Sequence, residues 1–354
     1  MVASVNSPSD RGAPTGPGVV GAPAERKVRW RWARSYPARR VLQALITLFM
    51  VATFNFWLFR MLPGDPARLI ARESRLSPEA FEQLRESFGL NEPAWQQYLT
   101  YLTKIVRFDT GISFKARMPV TDLLKPALSN TLILTGAALV LIFVFGLAFG
   151  IVAGWRRGTR TDTSLTLTAL TLWSLPTFWV GLILVLLFSI SLGLLPVAGI
   201  RSVAAIYRTP FDEVWDVLEH LVLPAATIAI VSVGSIALIM RNSLAEVADE
   251  DYMLAARARG LRPRTILWRY GVRNAFLPTF TLMALTLGLL MAGTIQTEVV
   301  FSWPGLGLLM YEAVQDRDLP LLEAAFFVIA VIVVIATMVA DLFYSRLDPR
   351  IRSS

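Results

Sequence analysis

Six apolar runs, each about 20 residues or longer and so long enough to cross a bilayer as a helix, leave few folds open to this 354-residue sequence. They lie at Val41–Leu62, Thr131–Trp155, Thr163–Leu192, Leu221–Met240, Phe276–Thr297 and Leu319–Tyr344. The pattern predicts an all-α integral membrane protein with six transmembrane helices. The third run is the longest and contains Pro176. At about 1.5 Å per residue it is too short for two spans, so a single tilted or kinked helix is expected. Composition agrees, because 55% of the residues are hydrophobic and only 17% charged. A soluble domain carries about a quarter.

An even number of spans puts both termini on one side, and the basic residues say which. With both ends inside, residues 1–40, 155–162, 241–275 and 345–354 hold 21 of the 34 lysines and arginines. The positive-inside rule therefore predicts cytoplasmic N- and C-termini. The net charge of +8 is thus mainly a topology signal, and nucleic acid is not an expected partner. The expected order is a tail (1–40), span one (41–62), an extracytoplasmic helical region (63–130), a core of spans two to six (131–345) and a short tail (346–354). Within the first tail, residues 1–25 read as disordered. Arg26 to Trp32, basic and aromatic together, reads as an anchor on anionic membrane lipid.

Several chemistries are excluded outright. There is no cysteine and a single histidine, so disulfides, thiolate sites and histidine metal clusters are absent. None of Lys27, Lys104, Lys115 and Lys125 follows a glycine, which removes the phosphate-cradling loop of a nucleotide-binding enzyme. Any ATP used must sit on another chain. The middles of the six spans hold no Lys, Arg, Asp, Glu or His, whereas ion-driven carriers need such groups near the midplane. Arg60 and Glu298 fall at outer ends, and Asp341 reads as an interfacial acid near Arg346. His220, at the outer start of span four, reads as a structural hydrogen-bonding residue. An ion-coupled secondary transporter is the competing class, and this barren midplane argues against it.

In the exterior region, Ser77-Pro78-Glu79 marks a helix start and Gly89 its end. A second helix opens at Asn91. There Trp95, Tyr98, Leu99, Leu102, Ile105 and Val106 recur at helical spacing, a stripe expected to pack on the rest of the protein. The interior loop 241–275 is the one large enough to receive force from a partner. In it Asp249-Glu250-Asp251 precedes Tyr252-Met253-Leu254-Ala255-Ala256-Arg257-Ala258-Arg259-Gly260-Leu261. Acids first and arginines last suit a short helix's dipole. Gly260 fits a left-handed stop. The alanines at 255, 256 and 258 would let that helix sit close in a partner's groove. Arg264 to Asn274 then reads as an amphipathic helix leading into span five.

This loop resembles the coupling loop of the membrane subunits of bacterial ABC importers, in which Glu-Ala-Ala is followed by three residues and a glycine. With Gly260 on the motif glycine, the alanines fall on Ala255 and Ala256 and the glutamate on Leu254. The family's later Ile-x-Leu-Pro is also missing, its positions falling on Tyr270, Val272 and Arg273, while Leu277-Pro278 comes five residues late. These departures resemble the dipeptide, oligopeptide and nickel branch, which carries a similar Asp-Tyr-x-x-x-Ala-Arg-Ala-x-Gly-Leu run. So do Leu62-Pro63-Gly64-Asp65-Pro66, Phe88 to Pro93, Gly193 to Gly199, Phe301-Ser302-Trp303-Pro304-Gly305-Leu306-Gly307, Arg317-Asp318 with Pro320, and Leu347 to Arg350.

The resemblance implies a type I ABC importer permease fold and a chain that is not itself an enzyme. It implies a homologous second permease completing the pore, two ABC ATPases that hold ATP and Mg, and an extracytoplasmic solute-binding protein. It implies that Asp251, Tyr252, Leu254–Leu261 dock on an ATPase. Pro63–Pro66, with Phe301, Trp303, Pro304, Gly305 and Gly307, would belong to the pore entrance or to the binding-protein surface. Short peptides are the expected cargo and nickel the alternative; no His or Cys lines a span to hold that metal.

Overall fold

The structure, a computed structural model, describes residues 29–61, 77–87, 91–203 and 205–347. The Pro63–Pro66 motif, Gly89 and residues 1–25 lie outside these, as do the side chains of Asp341 and Arg346. Among the described residues there is no strand, only an isolated bridge between Ile112 and Pro119. The helices are α1 (Arg29–Met61), α2 (Pro78–Ser87), α3 (Ala94–Val106), α4 (Val120–Trp155), α5 (Arg160–Ser174) and α6 (Thr177–Leu184). α7 (Pro210–Ala248) and α8 (Asp251–Ala258) follow. α9 starts at Pro263–Thr265, passes through a π-helical Ile266–Val272 and continues as Arg273–Gly293. α10 (Ile295–Val300), α11 (Leu306–Asp316) and α12 (Leu319–Leu347) complete the chain.

Four described helical stretches are long and apolar enough to cross a membrane: Arg39–Met61, Val120–Trp155, Pro210–Ala248 and Leu319–Val339. They become five if α5 and the helix after it count as one broken span. The expected fifth run, Phe276–Thr297, is helical up to Gly293, breaks at Thr294 and resumes as α10, Ile295–Val300. Helices outrun the apolar runs at several ends. α1 begins at Arg29, so the last part of the 1–40 tail is helix rather than loose chain. α7 spans 39 residues, about 58 Å at the α-helical rise, nearly twice the hydrocarbon thickness. Its early start is set by Thr209, whose hydroxyl accepts from the Asp212 amide while the Asp212 carboxylate accepts from the Thr209 amide. His220 consequently sits inside this helix, buried, with Nδ1 2.8 Å from the Asp216 carbonyl.

The third run departs most from expectation. It is not a kinked single helix: α5 and the helix from Thr177 to Ser191 meet at 100°. Leu175 is extended, at φ −77° and ψ 139°, because the ring of Pro176 bars the helical conformation from the residue before it. The second limb ends as a π-helix, Val185–Ser191.

α4 against α7 forms the centre of the molecule. Gly146, Gly150 and Gly154 recur every four residues along α4 and let α7 approach to backbone contact. A Cβ on Gly150 would lie 2.5 Å from the Met240 Cβ and 2.6 Å from the Ala237 carbonyl oxygen. Leu134, Ala138 and Ile142 then pack with Ala225, Ile228 and Ile236, closed by Trp303 at one end. A second cluster joins Phe59 of α1, Val120 and Leu124 of α4, Met310 of α11 and Leu321 of α12. The stripe on α3 does less than its spacing predicts. Tyr98 and Tyr101 dock on α1, bonding Thr53 at 2.8 Å and Asn55 at 3.1 Å, while Trp95, Leu99 and Val106 stay exposed. Burial pushes the Tyr101 phenol up to about 12.

Candidate functional site

Two short motifs at opposite ends of the helical core carry the functional expectations. At the end where α4 leaves the core, Trp155 closes that helix and the loop to α5 is short and basic. Arg241 of α7 grips Asp162 of α5 through two bonds, Nε to Oδ1 at 2.9 Å and Nη2 to Oδ2 at 2.8 Å. The Gly158 amide donates to the same carboxylate at 3.0 Å, which fixes the loop on α7.

α8 sits on this frame as a single docked helix. Its C-terminus is closed by a Schellman arrangement, with the Gly260 amide donating to the Arg257 carbonyl at 2.9 Å and the Leu261 amide to the Ala256 carbonyl at 3.4 Å. Gly260 stands at φ +69°, the left-handed conformation its place in the sequence predicts. Met253 (0% exposed) and Ala256 (3%) turn inward against Ile266, with Trp155, Val247, Leu261 and Tyr270 around them. Gly271 in the π-helical segment makes room, since a Cβ there would come 3.1 Å from Leu244 Cδ1. Arg257 donates to the Ala248 carbonyl at 3.3 Å and ties the helix to the end of α7.

The other face of α8 is bare. Asp251, Tyr252, Leu254, Ala255, Arg257, Ala258, Arg259 and Gly260 are exposed, and Leu254 keeps 67% of its surface. The three alanines therefore do not act together. Ala255 and Ala258 remain available to a partner, whereas Ala256 is consumed by the chain's own packing. The seating roles of Met253, Ile266 and Gly271 are not among the sequence expectations, although Met253 and Ala256, three apart, mark one face of a helix.

At the opposite end, the Phe301–Gly307 motif is folded around a carboxylate. Glu298 of α10, expected at the outer end of span five, is 0% exposed. Its Oε1 accepts from the Thr131 hydroxyl at 2.8 Å and the Thr294 hydroxyl at 3.0 Å. Its Oε2 accepts from the amides of Gly307 at 2.7 Å and Leu308 at 3.0 Å, in the first turn of α11, where a helix N-terminus favours negative charge. The Leu306 amide donates to the Thr131 hydroxyl at 2.8 Å. Gly305 and Gly307 are glycines because side chains would strike this group: a Cβ on Gly305 would lie 2.5 Å from the carboxyl carbon.

Phe301 and Trp303 are buried too, so neither side chain faces solvent. The Trp303 indole donates to the Asn130 carbonyl at 3.0 Å, and the Asn130 amide returns a bond to the Pro304 carbonyl at 2.8 Å. The Gly199 amide donates to the Phe301 carbonyl at 2.8 Å, bringing in the Gly193–Gly199 turn. Only Ser302 and Pro304 of the motif are exposed. Asp318, just past the C-terminal end of α11, is a second buried carboxylate. It accepts from the Ser113 hydroxyl and from the amides of Phe114 and Lys115, both at 3.2 Å, and so pins the 108–119 loop to the start of α12. Among the described residues no three His, Asp or Glu side chains gather in a metal-holding group.

The family model described as binding-protein-dependent transport system inner membrane component matches residues 146–353. The model for the N-terminal part of such membrane components matches residues 35–135. The dipeptide transport system permease protein DppB of Escherichia coli strain K12 is 35% identical over 330 residues, covering 89% of this chain and 97% of that protein. The oligopeptide transport system permease protein AppB of Bacillus subtilis strain 168 is 33% identical over 318 residues, covering 90% and 99%. The glutathione transport system permease protein GsiC of Escherichia coli O6:H1 is 36% identical over 323 residues, covering 90% and 99%. In fold, the chain is similar to the MetNI methionine ABC transporter in an inward-facing crystal form. The TM-score is 0.51, at 16% identity, over 64% of this chain and 97% of that one.

Proposed function

Because the chain belongs to the family of binding-protein-dependent transport system inner membrane components, we propose that it forms half of the pore of an ATP-driven importer of short peptides. Its place is the bacterial inner membrane, with six spans, both termini and α8 in the cytoplasm, and a homologous second permease beside it. The dipeptide, oligopeptide and glutathione permeases it resembles all carry peptide-like solutes in their names, which favours peptides over nickel. Two ATPases would bind ATP and Mg, and a separate binding protein would deliver the solute to the Pro63–Pro66 and Phe301–Gly307 side.

One observation carries the coupling role: α8 is rigidly seated by Met253 and Ala256 yet presents an unpartnered apolar Leu254 beside Ala255 and Ala258. A partner that grips this face when its nucleotide sites close pushes directly on α7 and on the π-helical start of α9. Work is transmitted because the two states differ in contacts, not because the site is near. Leu254→Asp should leave insertion and thermal stability unchanged and abolish both ATPase co-purification and dipeptide uptake in proteoliposomes holding the full transporter. Retained co-purification with undiminished uptake would overturn the docking role. Uptake without ATP would overturn the importer class.

A further inference from the structure

Beside α8 lies a cleft of about 390 Å³ that shares only Arg257 with the residues expected to dock on an ATPase. Its size falls among small-ligand pockets, which run from about 300 to 1,000 Å³. It is formed where α4 and α7 end, between them and the segment from α8 to α9, with Gly154, Ala248, Pro263 and Ile266 as apolar walls. Trp155, the last residue of α4, stands at its edge, an aromatic where the apolar run gives way to the basic loop. Three charged side chains line it: Arg157, Arg257 and Asp249. Arg157 pairs with Asp249 at 2.7 Å, both well exposed, so the pair is weak and open to exchange. Arg257 spends one bond on a backbone carbonyl, and its other donors are not engaged by any acidic side chain in the cleft.

We propose that this cleft binds the phosphodiester headgroup of an anionic phospholipid from the cytoplasmic leaflet, an assignment that rests on the sidedness given above. The lining leaves one net positive charge, which a monoanionic phosphodiester neutralises and a free phosphate dianion over-compensates. Apolar walls beside two guanidinium groups suit a headgroup whose acyl chains continue into the bilayer, and basic pockets of this kind on the cytoplasmic side hold anionic lipids. The lipid bridges the α4–α5 loop through Arg157 to the coupling helix through Arg257. It thereby stiffens the seat of α8.

The test is retention of phosphatidylglycerol by the detergent-purified permease, read by native mass spectrometry. Arg157→Gln should lower the affinity on the order of tenfold, the loss of one charge-assisted hydrogen bond. Asp249→Asn should raise retention, because it removes the competing carboxylate. Arg156→Gln, a neighbouring charge that does not line the cleft, should leave retention unchanged. Equal retention in all three variants, or an equal loss with Arg156→Gln, overturns the site. Displacement by millimolar inorganic phosphate as effective as by phosphatidylglycerol overturns the lipid assignment in favour of the free anion. Because lipid retention is read on the permease itself, it stands or falls separately from ATPase co-purification.

Discussion

The two motifs are built on opposite principles. The α8 segment turns one face inward and leaves the other unsatisfied, with Leu254 largely bare and Met253 wholly enclosed. The Phe301–Gly307 turn leaves almost nothing unsatisfied: each carboxylate oxygen of Glu298 has two donors, and the two glycines are shaped around it. Under the proposed coupling role the free apolar area of α8 is what a partner would bury, and its burial would supply the driving force. A turn that must hold two helices and a loop in register uses directional bonds in a dry site, where each is costly to leave unmade. Short glycine-containing motifs can therefore mean either a handle or an internal fastening. Which one is decided by where the neighbouring side chains point.

Removing the fastening should have the larger effect on stability. Glu298→Ala strands two backbone amides and two hydroxyls in a buried site, and at about 1–3 kcal/mol for each unsatisfied group the variant should lose most folded protein. Yield and melting of the detergent-solubilised chain report it. Glu298→Gln keeps the shape and part of the bonding and should recover much of the loss. A Glu298→Ala protein that melts like the parent would break the contrast. Gly305→Ala comes next. Its Cβ must displace the carboxylate, and overpacking of this kind costs about 1–3 kcal/mol, visible as a lowered melting midpoint with α8 undisturbed.

The helical runs and the left-handed Gly260 were readable from residue types, because each depends on local chemistry: uninterrupted apolar length, and a glycine after a helix. Pro176 suggests a kink in a single helix, but the 100° turn is not legible, since an extended residue before proline fixes a conformation and not the direction the next helix takes. Glu298 lies at the end of span five, where the sequence puts it, but its burial is not legible from that position. Its partners Thr131, Gly307 and Leu308 come from other elements, and no periodicity links them to it. Had the acid been read together with Gly305 and Gly307, the glycines would have suggested something close against the backbone. The different burial of the α8 alanines is illegible for a related reason. Small residues at adjacent positions point in different directions on a helix, and only the packing of Ile266 and Met253 decides which of them is already taken.

That last point gives the smallest and most discriminating effect. Ala255 and Ala256 are adjacent, one exposed and one 3% exposed. Ala256→Glu forces a carboxylate among Met253, Ile266 and Trp155, so it should destabilise the cytoplasmic end by about 1–3 kcal/mol and loosen α8 before any partner is considered. It is thus a poor probe of docking, although the alanine pair in the sequence invites it. Ala255→Glu places the same charge in water and should shift stability by no more than about 0.5 kcal/mol, as surface substitutions do. Stimulated ATPase activity should nevertheless fall with Ala255→Glu, because the added side chain meets the partner. Hydrogen exchange along 251–258 separates the two variants: faster exchange with Ala256→Glu, parental exchange with Ala255→Glu. Parental exchange in both would mean that α8 is held by something other than its inward face, and the contrast between handle and fastening would lose its structural basis.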